Sequence, residues 1–243
     1  LFLAVNLHKR LWTIPAILFL AGVVLHMTQS EAMPAFHVQE REFPVYVLDA
    51  GHGGEDGGAV SADGSKESDV NLAVTLDLDE LLRFLGYNTV LTRREDASVC
   101  SEEAETLREK KASDLKNRAA LVNSVPGAVL VSIHQNSLPS VPSVHGAQVF
   151  YANTALSDTL AACLQSVLNQ TVNQGNEKHE KKIDPTIYLM KKAECPAVLV
   201  ECGFMSNSAE AAMLQKPDYQ KKLAVVIAAG LLDHDPAEGE NAP

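Results

Sequence analysis

Residues 44–58 read PVYVLDAGHGGEDGG, and the parsing of this stretch decides the fold. Its first half is a short apolar run rich in β-branched and aromatic residues, the composition of a buried strand. Its second half places five glycines around His52, Glu55 and Asp56. Glycine lets a backbone turn sharply and approach its neighbours closely, so a histidine in such a turn can be held rigidly toward one point. The two common phosphate cradles do not fit. No lysine follows the glycines until Lys66, as a Walker loop would need, and Asp56 stands where a dinucleotide loop requires its third glycine.

Outward from this stretch, strand-like and helix-like patterns alternate. Val70, Val74, Leu78, Leu81, Leu82 and Leu85 recur at helical spacing, and Gly86 ends that run. YNTVLTR (87–93) reads as a strand. The charged stretch 94–111 reads as an excursion, partly helical, and SDLKNRAALVNSV (113–125) as a helix capped by Ser113 or Asp114. AVLVSIH (128–134) and GAQVFYA (146–152) are further strands, separated by a polar loop, and residues 156–172 carry a helical leucine stripe. PAVLVE (196–201) has the nearly all-apolar character of a strand buried on both faces, and a last helix begins at Lys216. The expected fold is α/β: a twisted, mostly parallel sheet covered by helices on both faces.

Such sheets place reactive groups just beyond the carboxyl ends of their strands. Asp49, Gly51 and His52 follow the first strand, His134 closes AVLVSIH, and Glu201 closes PAVLVE, so these distant groups are expected at one sheet edge. Two histidines with one carboxylate and a water make a hydrolytic zinc site. The carboxylate candidates are Asp49, Glu55, Asp56, Asp63, Glu67, Asp69 and Glu201. Glu67 precedes the first helix, where it can be held firmly. Glu201 leaves an apolar strand, where a carboxylate is costly unless a proton, cation or metal compensates it.

Four motifs in this order, DAGHGGEDGGA, KESDVNLA, SIHQN and VECGFMSN, resemble the zinc-dependent N-acetylmuramoyl-L-alanine amidases of bacterial cell walls, and among them the germination-specific amidases of spore formers. The likeness runs over roughly 45–232 and includes TRRED, KASDLKNRAALVN, IYLMKKAECPAVLVECGF and KPDYQKKLA. It implies that His52, Glu67 and His134 hold Zn²⁺ and that Glu201 is the catalytic acid and base. It implies hydrolysis of the amide between the lactyl group of N-acetylmuramic acid and L-alanine in peptidoglycan, with a role in spore-cortex maturation. Three departures touch tuning and subfamily: Ala50 where family members commonly have proline, Ser68 where a basic residue is frequent, and Cys202 in place of a small aliphatic or hydroxyl residue.

Several secondary expectations accompany this reading. Asp49 is expected to accept a hydrogen bond from an imidazole or to cap a loop. Arg118 is expected to pair with a buried carboxylate or to contact substrate, and Asn136 to orient the metal loop, meet substrate or serve a turn. His145, His179 and EKHEKK (177–182) read as surface or loop residues. A zinc peptidase is a competing activity, although HExxH is absent even at HEKKI (179–183). A non-catalytic cell-wall binder is the other alternative, disfavoured because all four site residues are present.

HKR (8–10) followed by fifteen uncharged residues, Leu11 to Leu25, has the layout of an export signal or membrane anchor. The expected organisation is a signal or anchor over 1–30, a linker over 31–44, a catalytic domain over 45–233 and an acidic tail over 234–243. The protein is therefore expected to be exported across, or anchored to, the cytoplasmic membrane, in a spore former facing the forespore cortex. Its partners are then a muropeptide substrate and a membrane tether or helper protein. With 20 basic and 31 acidic residues and a formal charge of −11, the chain lacks the basic surface a general nucleic-acid binder needs. The four cysteines include no C-x-x-C pair.

Overall fold

A computed structural model of the chain describes residues 43–234. The expected leader over 1–30, the linker up to residue 42 and the tail from residue 235 lie outside the described residues. Among the described residues, no helix is long and apolar enough to cross a membrane.

Six strands form one sheet: β1 (Val45–Ala50), β2 (Asn88–Leu91), β3 (Ala128–Asn136), β4 (Gln148–Tyr151), β5 (Lys181–Lys182) and β6 (Ala197–Phe204), in the order β2-β1-β3-β6-β4-β5. β2, β1, β3 and β6 are mutually parallel. β4 runs antiparallel to β6 and parallel to β5. The reversal follows from the connection: only a short loop joins β3 to β4, and a parallel return needs a crossover of a dozen or more residues, usually a helix.

The sheet separates two apolar cores because successive side chains of a strand point to opposite faces. On one face Tyr46, Leu48, Val131, Ile133, Val198 and Val200 pack against α1 (Glu67–Phe84), α3 (Ser157–Thr171) and α6 (Pro217–Asp233). The stripe Val70, Val74, Leu78 and Leu82 on α1 is buried there, as its four-residue spacing requires. On the other face Val47, Leu130, Ala197 and Leu199 pack against α2 (Leu107–Ser124) and the short α4 (Tyr188–Lys192). A further short helix, α5 (Ser208–Leu214), precedes α6. The expected α/β architecture, helices on both faces of a mostly parallel sheet, is what the chain adopts.

Two local expectations change. α2 starts at Leu107, six residues before the expected start at Ser113, with Thr106 and Glu109 forming a reciprocal capping box. Ser113 and Asp114 turn instead to the preceding loop, where they accept the backbone N–H groups of Ser101 and Val99. EKHEKK lies at the surface as expected, with the exposed Lys181–Lys182 forming the short strand β5. All four cysteines are free thiols.

Candidate active site

The face of the sheet under α2 and α4 turns polar at the strand ends. Two positions beyond Val47, Leu130 and Leu199, with the same side-chain parity, come Asp49, Ser132 and Glu201, and His134 follows Ser132. Register brings Asp49 beside Ser132 and His134 beside Glu201. The sheet edge thus gathers groups that the sequence scatters over more than 150 positions.

One nitrogen of His52, one carboxylate oxygen of Glu67 and one nitrogen of His134 lie within 4.8 Å of one another. Glu67 Oε1 is 3.3 Å from His52 Nε2 and 2.9 Å from His134 Nδ1. Glu67 is the buried first residue of α1. The backbone N–H groups of Ala59 and Gln135 and the Asn71 amide also donate to its carboxylate. Burial pushes the Glu67 carboxyl up, but hydrogen bonds from His134 and His52 outweigh that and hold it well below the usual carboxylate range. For His52, burial works downward, while Glu67 and Asp56 outweigh it and raise the imidazole. The carboxylates that draw a proton onto His52 in this way create the negative potential that also attracts a cation.

The glycines make this approach sterically feasible. His52 sits at φ 61°, a left-handed conformation uncommon for a non-glycine residue. A Cβ at Gly51 would collide with the His134 ring, and one at Gly58 would lie 2.6 Å from Glu67 Oε2 and 2.8 Å from His52 Cδ2.

Two arginines hold the loop in place. Arg93 donates to the carbonyls of Ala50, Gly51 and Ser68 at 2.8–3.1 Å. Arg118 donates to the carbonyls of Ala50 and His52 at 2.8 and 2.7 Å. Arg118 also meets the buried carboxylate expected for it, with Asp49 and Asp114 each at 2.6 Å. Asp49 accepts in addition from Thr92 and Ser132, so its partners are a guanidinium and hydroxyls, where the expectation is either an imidazole or a loop-capping role. The imidazole's acceptor is Asp56, whose Oδ2 is 3.0 Å from His52 Nδ1 and 3.0 Å from Lys111 Nζ. Spacing alone offered one hint to Asp56, four residues after His52. Nothing in the sequence pointed to the carbonyl-binding role of Arg93. Asn136 Oδ1 accepts the N–H of Ser137, the turn role. His145 and His179 are exposed, away from the histidine pair.

Glu201 differs from its neighbours. Its Oε2 is buried and has no hydrogen-bond partner among the described residues. Burial pushes its carboxyl up to about 7, with Glu67 adding to the rise and the two histidines opposing it. Glu201, His52 and His134 open into a groove of about 690 Å³. The start of α2, with Leu107, Lys110 and Lys111, lines it together with Ile187, Tyr188 and Met190. Part of the charged excursion, including Ser98 and Cys100, also lines it. The arrangement offers a cation site, a carboxyl group poised near neutrality and an adjoining cleft, the components of a metal-assisted hydrolase.

A family model described as N-acetylmuramoyl-L-alanine amidase matches residues 47–233. The germination-specific N-acetylmuramoyl-L-alanine amidase of Bacillus subtilis (strain 168) is 35% identical over 198 residues, 81% of either chain. The CwlD amidase of Clostridioides difficile, solved in complex with the GerS lipoprotein, aligns with a TM-score of 0.76 at 38% identity, over 80% of this chain and 100% of that one. The catalytic domain of CwlV, an N-acetylmuramoyl-L-alanine amidase from Bacillus (Paenibacillus) polymyxa var. colistinus, aligns with a TM-score of 0.67 at 28% identity, over 79% and 98% of the two chains.

Proposed function

The chain belongs to the N-acetylmuramoyl-L-alanine amidase family and is a metallohydrolase, and from that membership we propose that it cleaves the lactyl–L-alanine amide of peptidoglycan with Zn²⁺ held by His52, Glu67 and His134. The observation that carries this reading is the cluster of two imidazole nitrogens and one carboxylate oxygen within 4.8 Å, a donor set that suits zinc. The buried, unpartnered Oε2 of Glu201 beside it fits a group meant to meet a reacting water. When bound, zinc lowers the pKa of water from about 15.7 toward about 7 and polarises a carbonyl.

The chain's own residues do the rest. Glu201 takes the proton of the attacking water and returns it to the departing amine nitrogen of L-alanine. A carboxyl raised to about 7 is suited to both halves of that transfer near neutral pH. Asp56 fixes the tautomer of His52 by accepting from Nδ1, which leaves Nε2 to face the metal. Arg93 and Arg118 hold the carbonyls of residues 50–52 and so keep the loop rigid.

The biological setting rests on the relatives. One is germination-specific and another forms a complex with a lipoprotein, so we place this amidase in spore-cortex maturation, with a lipoprotein or membrane tether as helper. Residues 1–30 would export or anchor it, and 45–233 would be the catalytic domain.

The test is digestion of purified sacculi by the zinc-loaded protein, with the products weighed. Stem peptides with a free L-alanine amino terminus are expected, with activity lost to a chelator and restored by zinc. Muramic acid still carrying a shortened peptide would instead identify a peptidase.

A further inference from the structure

The groove lining mixes exposed apolar and cationic side chains, and that chemistry bears on which half of the substrate it takes. Leu107 and Ile187 are exposed apolar side chains that line it, together with Tyr188. A glycan strand presents many hydroxyls and needs matching polar partners, which this lining supplies sparsely. The peptide stem offers methyl groups and carboxylates.

Three cationic side chains other than the histidines line the groove: Arg118, Lys110 and Lys111. Arg118 is saturated by Asp49, Asp114 and backbone carbonyls. Lys111 is engaged by Asp56, which also orients His52. Lys110 has a different partner: its Nζ lies 2.6 Å from Oε1 of Glu55, an exposed residue of the glycine loop. Exposed ion pairs of this kind contribute little net free energy, so another carboxylate can replace Glu55 on Lys110. Glu55 thereby marks where a carboxylate fits in the groove.

Resting on the amidase reading above, we propose that Lys110 binds the first free carboxylate of the peptide stem. This is the α-carboxylate of the γ-linked glutamate that follows L-alanine, and Glu55 competes with it for the ammonium. The stem then lies along the start of α2, on the leaving side of the scissile amide.

The experiment compares the zinc-loaded protein on two soluble muropeptides that differ only in that group, free carboxylate against carboxamide. Lys110→Gln is expected to raise KM on the acid by roughly 3–10-fold, the scale of a partly exposed charge-assisted contact, with kcat and the carboxamide substrate little changed. Lys110→Arg should retain most of the preference. Glu55→Gln should act in the opposite direction and lower KM on the acid, which a merely structural role for the pair would not produce. Equal effects on acid and carboxamide, or the same sign for both variants, would overturn the proposal. Wild-type protein that hydrolyses neither muropeptide nor sacculi would instead sink the amidase reading, and this inference with it.

Discussion

Two buried charge clusters lie side by side at the carboxyl end of the sheet, and they are built on opposite plans. In the first, Arg118 is answered by Asp49, Asp114 and two backbone carbonyls, while Asp49 is answered in turn by Thr92 and Ser132. In the second, Glu67 faces two imidazoles, and Glu201 nearby holds a buried oxygen with no partner among the described residues. One network is complete without any ligand. The other leaves a carboxylate oxygen that a cation or a reacting molecule would satisfy. Between these two clusters, the satisfied one fits a scaffold and the unsatisfied carboxylate fits chemistry, since a buried polar atom without a partner costs free energy that something else must offset.

The sharpest way to break this contrast is to open the closed cluster. Arg118→Met leaves Asp49 as a buried carboxylate without its cation and releases the carbonyls of Ala50 and His52. Breaking a buried pair from one side costs about 3–5 kcal/mol, so the variant should lose about that much in a denaturant melt. Lysine should not rescue it, because it lacks the planar fork that reaches a carboxylate and two carbonyls at once. A loss below about 1 kcal/mol would show that this cluster is not the scaffold.

Opening the second cluster should do the reverse. The carboxyl of Glu201 is raised from 4.5 to about 7 in the folded, metal-free protein. The folded state therefore binds the extra proton more tightly than the unfolded one. The stability this provides is whole below about pH 4.5 and is lost as pH climbs through about 7. At pH 8 metal-free Glu201→Gln should be more stable than metal-free wild type by on the order of 3 kcal/mol, with the gap closing toward pH 4. The same variant should lose roughly 10²–10⁴-fold in kcat while still binding one zinc. Loss of zinc without unfolding would make Glu201 a ligand and reverse its assignment.

The two clusters were also unequally legible in the sequence. His52 follows β1, Glu67 begins α1, and His134 and Glu201 lie near the carboxyl ends of β3 and β6, which run on to Asn136 and Phe204 beyond the expected ends at 134 and 201. A strand-and-helix reading still brings three of them to one edge, and the family resemblance divides the roles of the two glutamates. The arginine cluster left weaker traces. Arg93 and much of Arg118 act on backbone carbonyls, and a carbonyl has no letter. α2 was placed too short for a related reason: its buried residues are Asp114, Arg118, Ala119 and Val122, so it packs largely through polar contacts and shows no apolar stripe to count. Periodicity placed β4 as a strand but says nothing of its direction, because it reports burial alone. α4 and α5 are too short for a helical period to register.

Asp56 stands between the two plans and gives the finest test of them. It is a partly exposed carboxylate, yet it touches His52 directly. Burial pushes its carboxyl up, but the hydrogen bonds from Lys111 and His52 outweigh that and bring it down to about 2, so it is ionised at any pH where the enzyme would work. Its backbone bridges to Gly53 in both directions, so the turn keeps those two bonds when the side chain, which accepts the Gly58 N–H, is removed. If Asp56 were scaffold, Asp56→Ala would lower the melting transition and leave metal affinity alone. As an orienter of His52 it should do the opposite. Zinc affinity, measured by competition with a chromophoric chelator, should fall about 10–100-fold, the usual consequence of removing such a partner. The cost in stability should stay within about 1 kcal/mol. Asp56→Asn should lie between, since an amide oxygen can still accept from Nδ1 but brings no charge to hold that tautomer.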